Sequence, residues 1–263
     1  MKKILTLLMM IFFGLNLNAQ TMHTIIFVNK QENTPEHGDR TVDRTADFNN
    51  MKDFFSRIAN AIGYTNNMCA HGLQQDFTTA TIDKEINRLN VNKNDIVVFY
   101  YSGHGANMNN DIWPTLDLMD NGYWQTTILR KLKEKCTDGN SFKPKLLLCI
   151  ADCCNGVYDG NMRGSFDAGE DMNGLKKLFT SFPGKKTITM SASKKGQYSY
   201  SDLRYGALFG ICLREAIAKR TENNSSPTWE DVLDYAKQLT LRITNNKQEP
   251  QYSIKVTADP FDD

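Results

Sequence analysis

Two apolar runs, each closing on a loop that carries reactive side chains, restrict this chain more than any other feature. The first runs from Asp95 through Ile96, Val97, Val98, Phe99 and Tyr100 to Tyr101, and delivers Ser102, Gly103, His104 and Gly105. The second runs from Pro144 through Leu146, Leu147, Leu148, Cys149 and Ile150 to Ala151, and opens into Asp152, Cys153, Cys154, Asn155 and Gly156. Runs this short and this apolar, without polar alternation, read as strands buried on both faces of a parallel sheet. The C-terminal ends of parallel strands share one edge, where the active sites of open α/β sheets form. An imidazole and a thiol are therefore expected at the same edge.

The rest of the chain fits that sheet. Residues 24–30 read as a first strand, and Phe48, Met51, Phe54, Phe55, Ile58 and Ile62 recur at helical spacing over 43–62, with Gly63 as the stop. A short strand near 68–73 and a helix over 78–89, with Ile82, Ile86 and Leu89 inward, complete a βαβαβ unit with the His-bearing strand. A loop containing Asp117, Asp120, Asn121 and Gly122 leads to a helix over 126–136 and then to the Cys-bearing strand. Beyond it come a strand over 186–192, helices over 205–219 and 228–243, and a short closing strand over 252–256. The alternation predicts a three-layer α/β/α sandwich around a mostly parallel central sheet. Residues 155–184, rich in glycine and charge with little periodicity, read as a mobile or cleavable linker.

Lys2 and Lys3, the apolar run 4–15 and the small-residue ending Asn18-Ala19 make residues 1–19 a signal peptide, cleaved after Ala19. The run is too short for a membrane span. A periplasmic or secreted protein is expected, with 20–263 as one domain. Losing Lys2 and Lys3 takes the formal charge from +1 to −1, which provides no field to draw nucleic acid or an anionic membrane. Cys69, Cys136, Cys149, Cys153, Cys154 and Cys212 lie mostly inside apolar segments and read as buried thiols rather than a disulfide framework. No Cys-x-x-Cys pair is present, which argues against a zinc site.

A thiol near neutral pH is only a few per cent thiolate, so nucleophilic catalysis by Cys154 needs a base, which His104 can supply across the sheet edge. The glycines beside His104 let backbone amides approach an oxyanion, and the amides of Gly105 and Cys154 are the candidate donors. His23, His37 and His71 have no such setting and read as surface or packing residues. From the residues alone, an ordinary loop histidine and a buried thiol remain an open alternative.

The segments Tyr101 to Gly105 and Asp152 to Gly156 resemble the His and Cys motifs of the caspase-like clan of cysteine peptidases, with metacaspases the nearest likeness. The likeness continues through Ser191 to Tyr200, Gly206 to Phe209 and Glu249 to Ser253, so it covers nearly the whole mature chain. It implies the sandwich fold, a His104–Cys154 dyad with Cys154 rather than Cys153 as nucleophile, and protein or peptide substrates. It also implies an S1 pocket formed by Asp47, Ser102 and Asp152, with Asp43 the nearest rival to Asp47. Asp152 stands where the Gln-Ala-Cys-x-Gly motif of caspases has the glutamine that helps hold a substrate aspartate. Two pocket carboxylates imply cleavage after Arg or Lys. Arg40 and Arg44 depart from the metacaspase pattern, and Ser201 stands where caspases carry another arginine.

A preference for basic residues makes Arg163, Lys176 and Lys177 candidate self-cleavage sites. The metacaspase likeness leaves calcium activation open, with Asp167, Glu170 and Asp171 able to attract a cation, but these acids form no twelve-residue calcium loop, so no metal site is assigned and no other cofactor is expected. Asn155 and Gly156 replace the usual metacaspase His-Ser. Two other assignments stay open: a clostripain- or gingipain-like peptidase of the same clan, and a catalytically silent binding domain with this fold.

Overall fold

In a computed structural model of the chain, the structure describes residues 19–30, 33–34, 38–39, 41–108, 111–155, 171–202, 204–224 and 226–257. The segment read as a signal peptide therefore lies, apart from Ala19, outside the described residues. The central sheet has six strands: β1 (Thr21–Val28), β2 (Thr65–His71), β3 (Ile96–Ser102), β4 (Leu146–Asp152), β5 (Lys185–Ser191) and β6 (Gln251–Thr257). They lie in the order β6-β5-β4-β3-β1-β2, with every neighbouring pair parallel except β5 and β6. From β1, which lies beside one edge, the chain adds that edge as β2, crosses back to the centre as β3 and β4, and closes the other edge with the antiparallel β6.

Six helices among the described residues cover the two faces: α1 (Thr41–Ile62), α2 (Thr79–Arg88), α3 (Gln125–Cys136), α4 (Met172–Thr180), α5 (Leu208–Thr221) and α6 (Trp229–Ile243). Period-two alternation sorts the strand residues between them. Met22, Ile26, Val98, Tyr100, Leu148, Ile150, Ile188 and Met190 pack against α1, α4, α5 and α6. Ile25, Phe27, Val97, Phe99, Tyr101, Leu147 and Cys149 pack against α2 and α3. Every residue of β3 and β4 is buried, as expected of strands covered on both sides. No helix among the described residues is long and apolar enough to cross a membrane.

Local rules fix the helix ends. Thr78 caps α2 by accepting from Thr81 N at 3.2 Å, and Thr228 caps α6 by accepting from Asp231 N at 3.1 Å. Gly63 ends α1 with φ of +76°. The segment read as a linker is corrected at its C-terminal part: Met172–Thr180 is a helix, because Leu175, Leu178 and Phe179 form a stripe that meets the core under α1. Its cap is Asp171, which accepts from Asn173 N at 2.9 Å and Gly174 N at 3.3 Å.

Candidate active site

The register places the two loops side by side. In the pairing of β3 with β4, Ser102 faces Asp152, so His104 and Cys154 each follow two residues beyond the paired ends of adjacent parallel strands. Gly103 N donates to Asp152 O at 3.4 Å, carrying the contact past the sheet. At Gly105, a Cβ would stand 2.5 Å from Cys153 Sγ and 2.6 Å from Cys154 O. Only glycine lets the His loop approach the Cys loop this closely.

The His104 backbone is held from below. Tyr101 Oη donates to the carbonyls of His104 at 2.6 Å and Asp117 at 2.7 Å, while Asp117 N donates to His104 O at 3.1 Å. Gly105 then pairs with Leu116 in a small antiparallel ribbon.

The adjacent cysteines have opposite environments. Cys153 is fully buried, and burial, reinforced by the neighbouring thiol and Asp152, pushes its thiol well above the usual range. Cys154 is half-buried. Its Sγ accepts from Ser199 N at 3.3 Å and lies 3.7 Å from Ser199 Oγ. All six cysteines are free thiols, and burial holds Cys136, Cys149 and Cys212 up at about 12.

Asn155 ties the cleft together. Its Nδ2 donates to Ile112 O at 2.9 Å and Ser193 O at 3.4 Å, and its Oδ1 accepts from Asn107 Nδ2 at 2.8 Å. Its departure from the metacaspase pattern thus supplies a strut between the two loops. Gly156 lies outside the described residues.

Beneath the cleft, the three S1 candidates do come together. Asp47, Ser102 and Asp152 are all buried. Tyr100 Oη donates to both oxygens of Asp47 at 3.1 Å. The first turn of α5 presents Gly210 N to Asp152 Oδ2 at 2.6 Å, adding the positive end of a helix to a carboxylate. Asp152 Oδ1 is buried without a hydrogen-bond partner.

Burial, the dominant influence, lifts Asp47 above the ordinary carboxylate range against the opposing pull of Ser102, Arg44, Tyr100 and Arg214. Burial, then the charge of Asp47, lifts Asp152 well above it. Burial thus makes both resist ionisation, and at Asp152 the neighbouring charge of Asp47 adds to it.

Arg44 joins this buried cluster. It is 6% exposed and its Nη1 donates to Ser102 Oγ at 3.3 Å. Asp43, the rival to Asp47, is instead taken by Ser201, whose Oγ donates to Asp43 Oδ2 at 2.7 Å. Gly206, at φ +95°, lies where a Cβ would come within 2.5 Å of Asp47 Cβ, so only glycine lets this segment pack so closely on the start of α1.

Sequence reading missed Tyr100, Ser199 and Gly210. The polar tip of Tyr100 at the end of an otherwise apolar run was the available signal for one; the other two arise from tertiary packing. Among the candidate cleavage sites, Lys176 and Lys177 lie in α4, while Arg163 lies outside the described residues, as do Arg40, His37, Asp167 and Glu170.

A family model described as the caspase domain matches residues 32–261. No curated protein sequence matches the chain. Among solved structures, caspase-1 from Spodoptera frugiperda is similar at a TM-score of 0.54 and 14% identity, covering 91% of this chain and 87% of that one. Protein GSU0716 from Geobacter sulfurreducens is similar at 0.53 and 15%, covering 91% and 95% respectively. These likenesses carry the fold. Because the matched family spans almost all of the sandwich, including the strands that carry His104 and Cys154, the chain belongs to the caspase domain family of cysteine peptidases.

Proposed function

We propose that the protein is an exported endopeptidase, nearest in kind to metacaspases, that cleaves after Arg or Lys through a His104–Cys154 dyad. The carrying observation is the Ser102–Asp152 register, which sets the two motif loops next to one another at the C-terminal edge of the sheet. His104 takes the proton from Cys154, and the thiolate attacks the scissile carbonyl carbon. The amides of Gly105 and Cys154 are the donors proposed for the oxyanion. As the C–N bond breaks, the imidazolium returns its proton to the leaving amine. Water, deprotonated by the imidazole, then hydrolyses the thioester and frees the carboxylate product.

The basic preference draws support from Asp152 Oδ1, a buried acceptor with no partner. A guanidinium or ammonium at P1 would supply the missing donor as a charge-assisted hydrogen bond. Arg44 offsets part of the pocket's negative charge, so the P1 cation shares Asp47 and Asp152 with a resident one. Export rests on the charged, apolar and small-residue order of residues 1–19.

Arg163 is the self-cleavage site favoured here, because a peptidase binds its substrate extended and the Lys176 and Lys177 bonds are wound into α4. Fluorogenic peptides ending in Arg, Lys or Asp test the proposal on the chain beginning at Gln20. Turnover of Arg and Lys peptides, abolished by Cys154→Ala, is expected. Asp cleavage would overturn the pocket assignment, and no turnover of any peptide would favour the silent domain. Intact masses of the wild-type and Cys154→Ala chains test self-processing, with a difference expected at Arg163.

A further inference from the structure

A second meeting of cysteine, histidine and carboxylate lies away from the cleft, at the β2 edge of the sheet. Cys69 and His71 stand two residues apart on β2, so strand alternation directs both to the α2 face. Glu85 comes from the middle of α2. A sulfur from Cys69, a ring nitrogen from His71 and a carboxylate oxygen from Glu85 all lie within 4.8 Å of one another. His71 Nε2 approaches Glu85 Oε1 at 3.5 Å, yet it is closed off from water and has no hydrogen-bond partner. Glu85 is 4% exposed, and Arg88 reaches its two oxygens at 3.2 Å from the solvent side. The Phe27 ring stacks on His71 at 4.7 Å and 17°, which fixes the imidazole plane.

We propose that Cys69, His71 and Glu85 form a binding site for a divalent transition ion of the zinc class, with water as the fourth ligand. A thiolate, an imidazole and a carboxylate together suit zinc, whereas calcium and magnesium take oxygen ligands. Tetrahedral bonds of about 2.0–2.3 Å hold ligand atoms roughly 3.3–3.8 Å apart. The His71–Glu85 separation of 3.5 Å already meets that spacing, and the rest close by side-chain rotation of about 1 Å. As the ion binds, the Cys69 S–H bond breaks, an S–metal bond forms and the proton leaves to solvent, with no change of oxidation state.

The ion would fasten β2 to α2. Among the described residues that strand has β1 as its single partner in the sheet, so a cross-link to the covering helix strengthens an edge. The absence of a Cys-x-x-Cys pair concealed this set, because its spacing is i, i+2 on a strand plus one helical residue.

The test uses the chain beginning at Gln20 with Cys154→Ala, which removes the other half-exposed thiol; the four remaining cysteines besides Cys69 are buried. Titration with Co2+ should load one ion per chain and give a thiolate-to-cobalt charge-transfer band that stoichiometric Zn2+ abolishes. Adding Cys69→Ser should remove the band, and adding Glu85→Gln should weaken Co2+ binding at least tenfold. No band in the Cys154→Ala protein, or a band that survives Cys69→Ser, overturns the proposal. Should Cys69→Ser fail to fold, Zn2+ must raise the Tm of Cys154→Ala more than that of Cys154→Ala with Glu85→Gln; equal rises would overturn it. None of these readouts needs turnover, so they stand apart from the peptidase reading.

Discussion

At the edge where β3 stops, the two faces of the sheet are finished in different ways. On the α1 face, Tyr100 gives its hydroxyl to the Asp47 carboxylate beside Asp152 and Arg44. On the α2 face, Tyr101, one residue on, gives its hydroxyl to the backbone carbonyls of His104 and Asp117. One face therefore buries two carboxyl groups and a guanidinium away from water, at a cost set by desolvation. The other holds a loop in place with neutral hydrogen bonds. Under the proposed function, substrate choice would belong to the first face and the rate of bond cleavage to the second, with Cys154 at their junction.

The largest test of that division is Cys154→Ala, which should lower kcat/KM by at least about 1,000-fold for every peptide, whatever its P1 residue. A pocket variant should behave otherwise. Asp152→Asn is expected to lower kcat/KM for Arg peptides by roughly 100-fold, as for a lost charge-assisted contact, while a peptide with a neutral P1 changes less than threefold. Equal losses on both peptides would break the comparison.

The same variant sharpens it through pH. Because burial raises Asp47 and Asp152 above the ordinary carboxylate range, the pocket turns anionic only above that range. Activity on Arg peptides should fall with falling pH as the pair protonates, and Asp152→Asn should remove part of this limb. The sign for stability is opposite. The folded chain holds these protons more tightly than the unfolded chain, so stability is lost as pH rises from the unfolded value toward the folded one. Asp152→Asn should therefore leave the Tm at neutral pH unchanged or raise it.

Tyr101→Phe leaves two backbone carbonyls without their hydroxyl donor, which costs about 1–3 kcal/mol of stability by denaturant titration. It should lower kcat about tenfold for Arg and neutral peptides alike, in keeping with a loop held less firmly. Tyr100→Phe should have the smallest effect, a few-fold rise in KM confined to basic peptides. A kcat loss shared by all substrates would show that the faces do not divide the work.

The sandwich was legible because its strongest signals are local. Uninterrupted apolar strands, helical stripes such as that of Phe48 to Ile62, and caps such as Thr228 need no knowledge of distant residues. The same holds for His104 and Cys154, which follow strand ends directly. The pocket was only half legible. Asp43, Arg44 and Asp47 look like a solvated helix start until Ser201, 158 positions away, and Gly206 fold over them. Helix α4 was masked by the charged, glycine-rich composition before it, since its stripe is only Leu175, Leu178 and Phe179 long.

The interleaving of the strands bears on what a cut at Arg163 would produce. One fragment would end beyond β4 and the other would begin before α4, yet β4 and β5 are partnered from Leu146 with Lys186 through Ala151 with Ser191. Asn155 would remain bonded to Ser193 across the break. A severed chain should accordingly migrate as one particle in gel filtration and as two bands after denaturation, its halves gripping each other without a covalent tie.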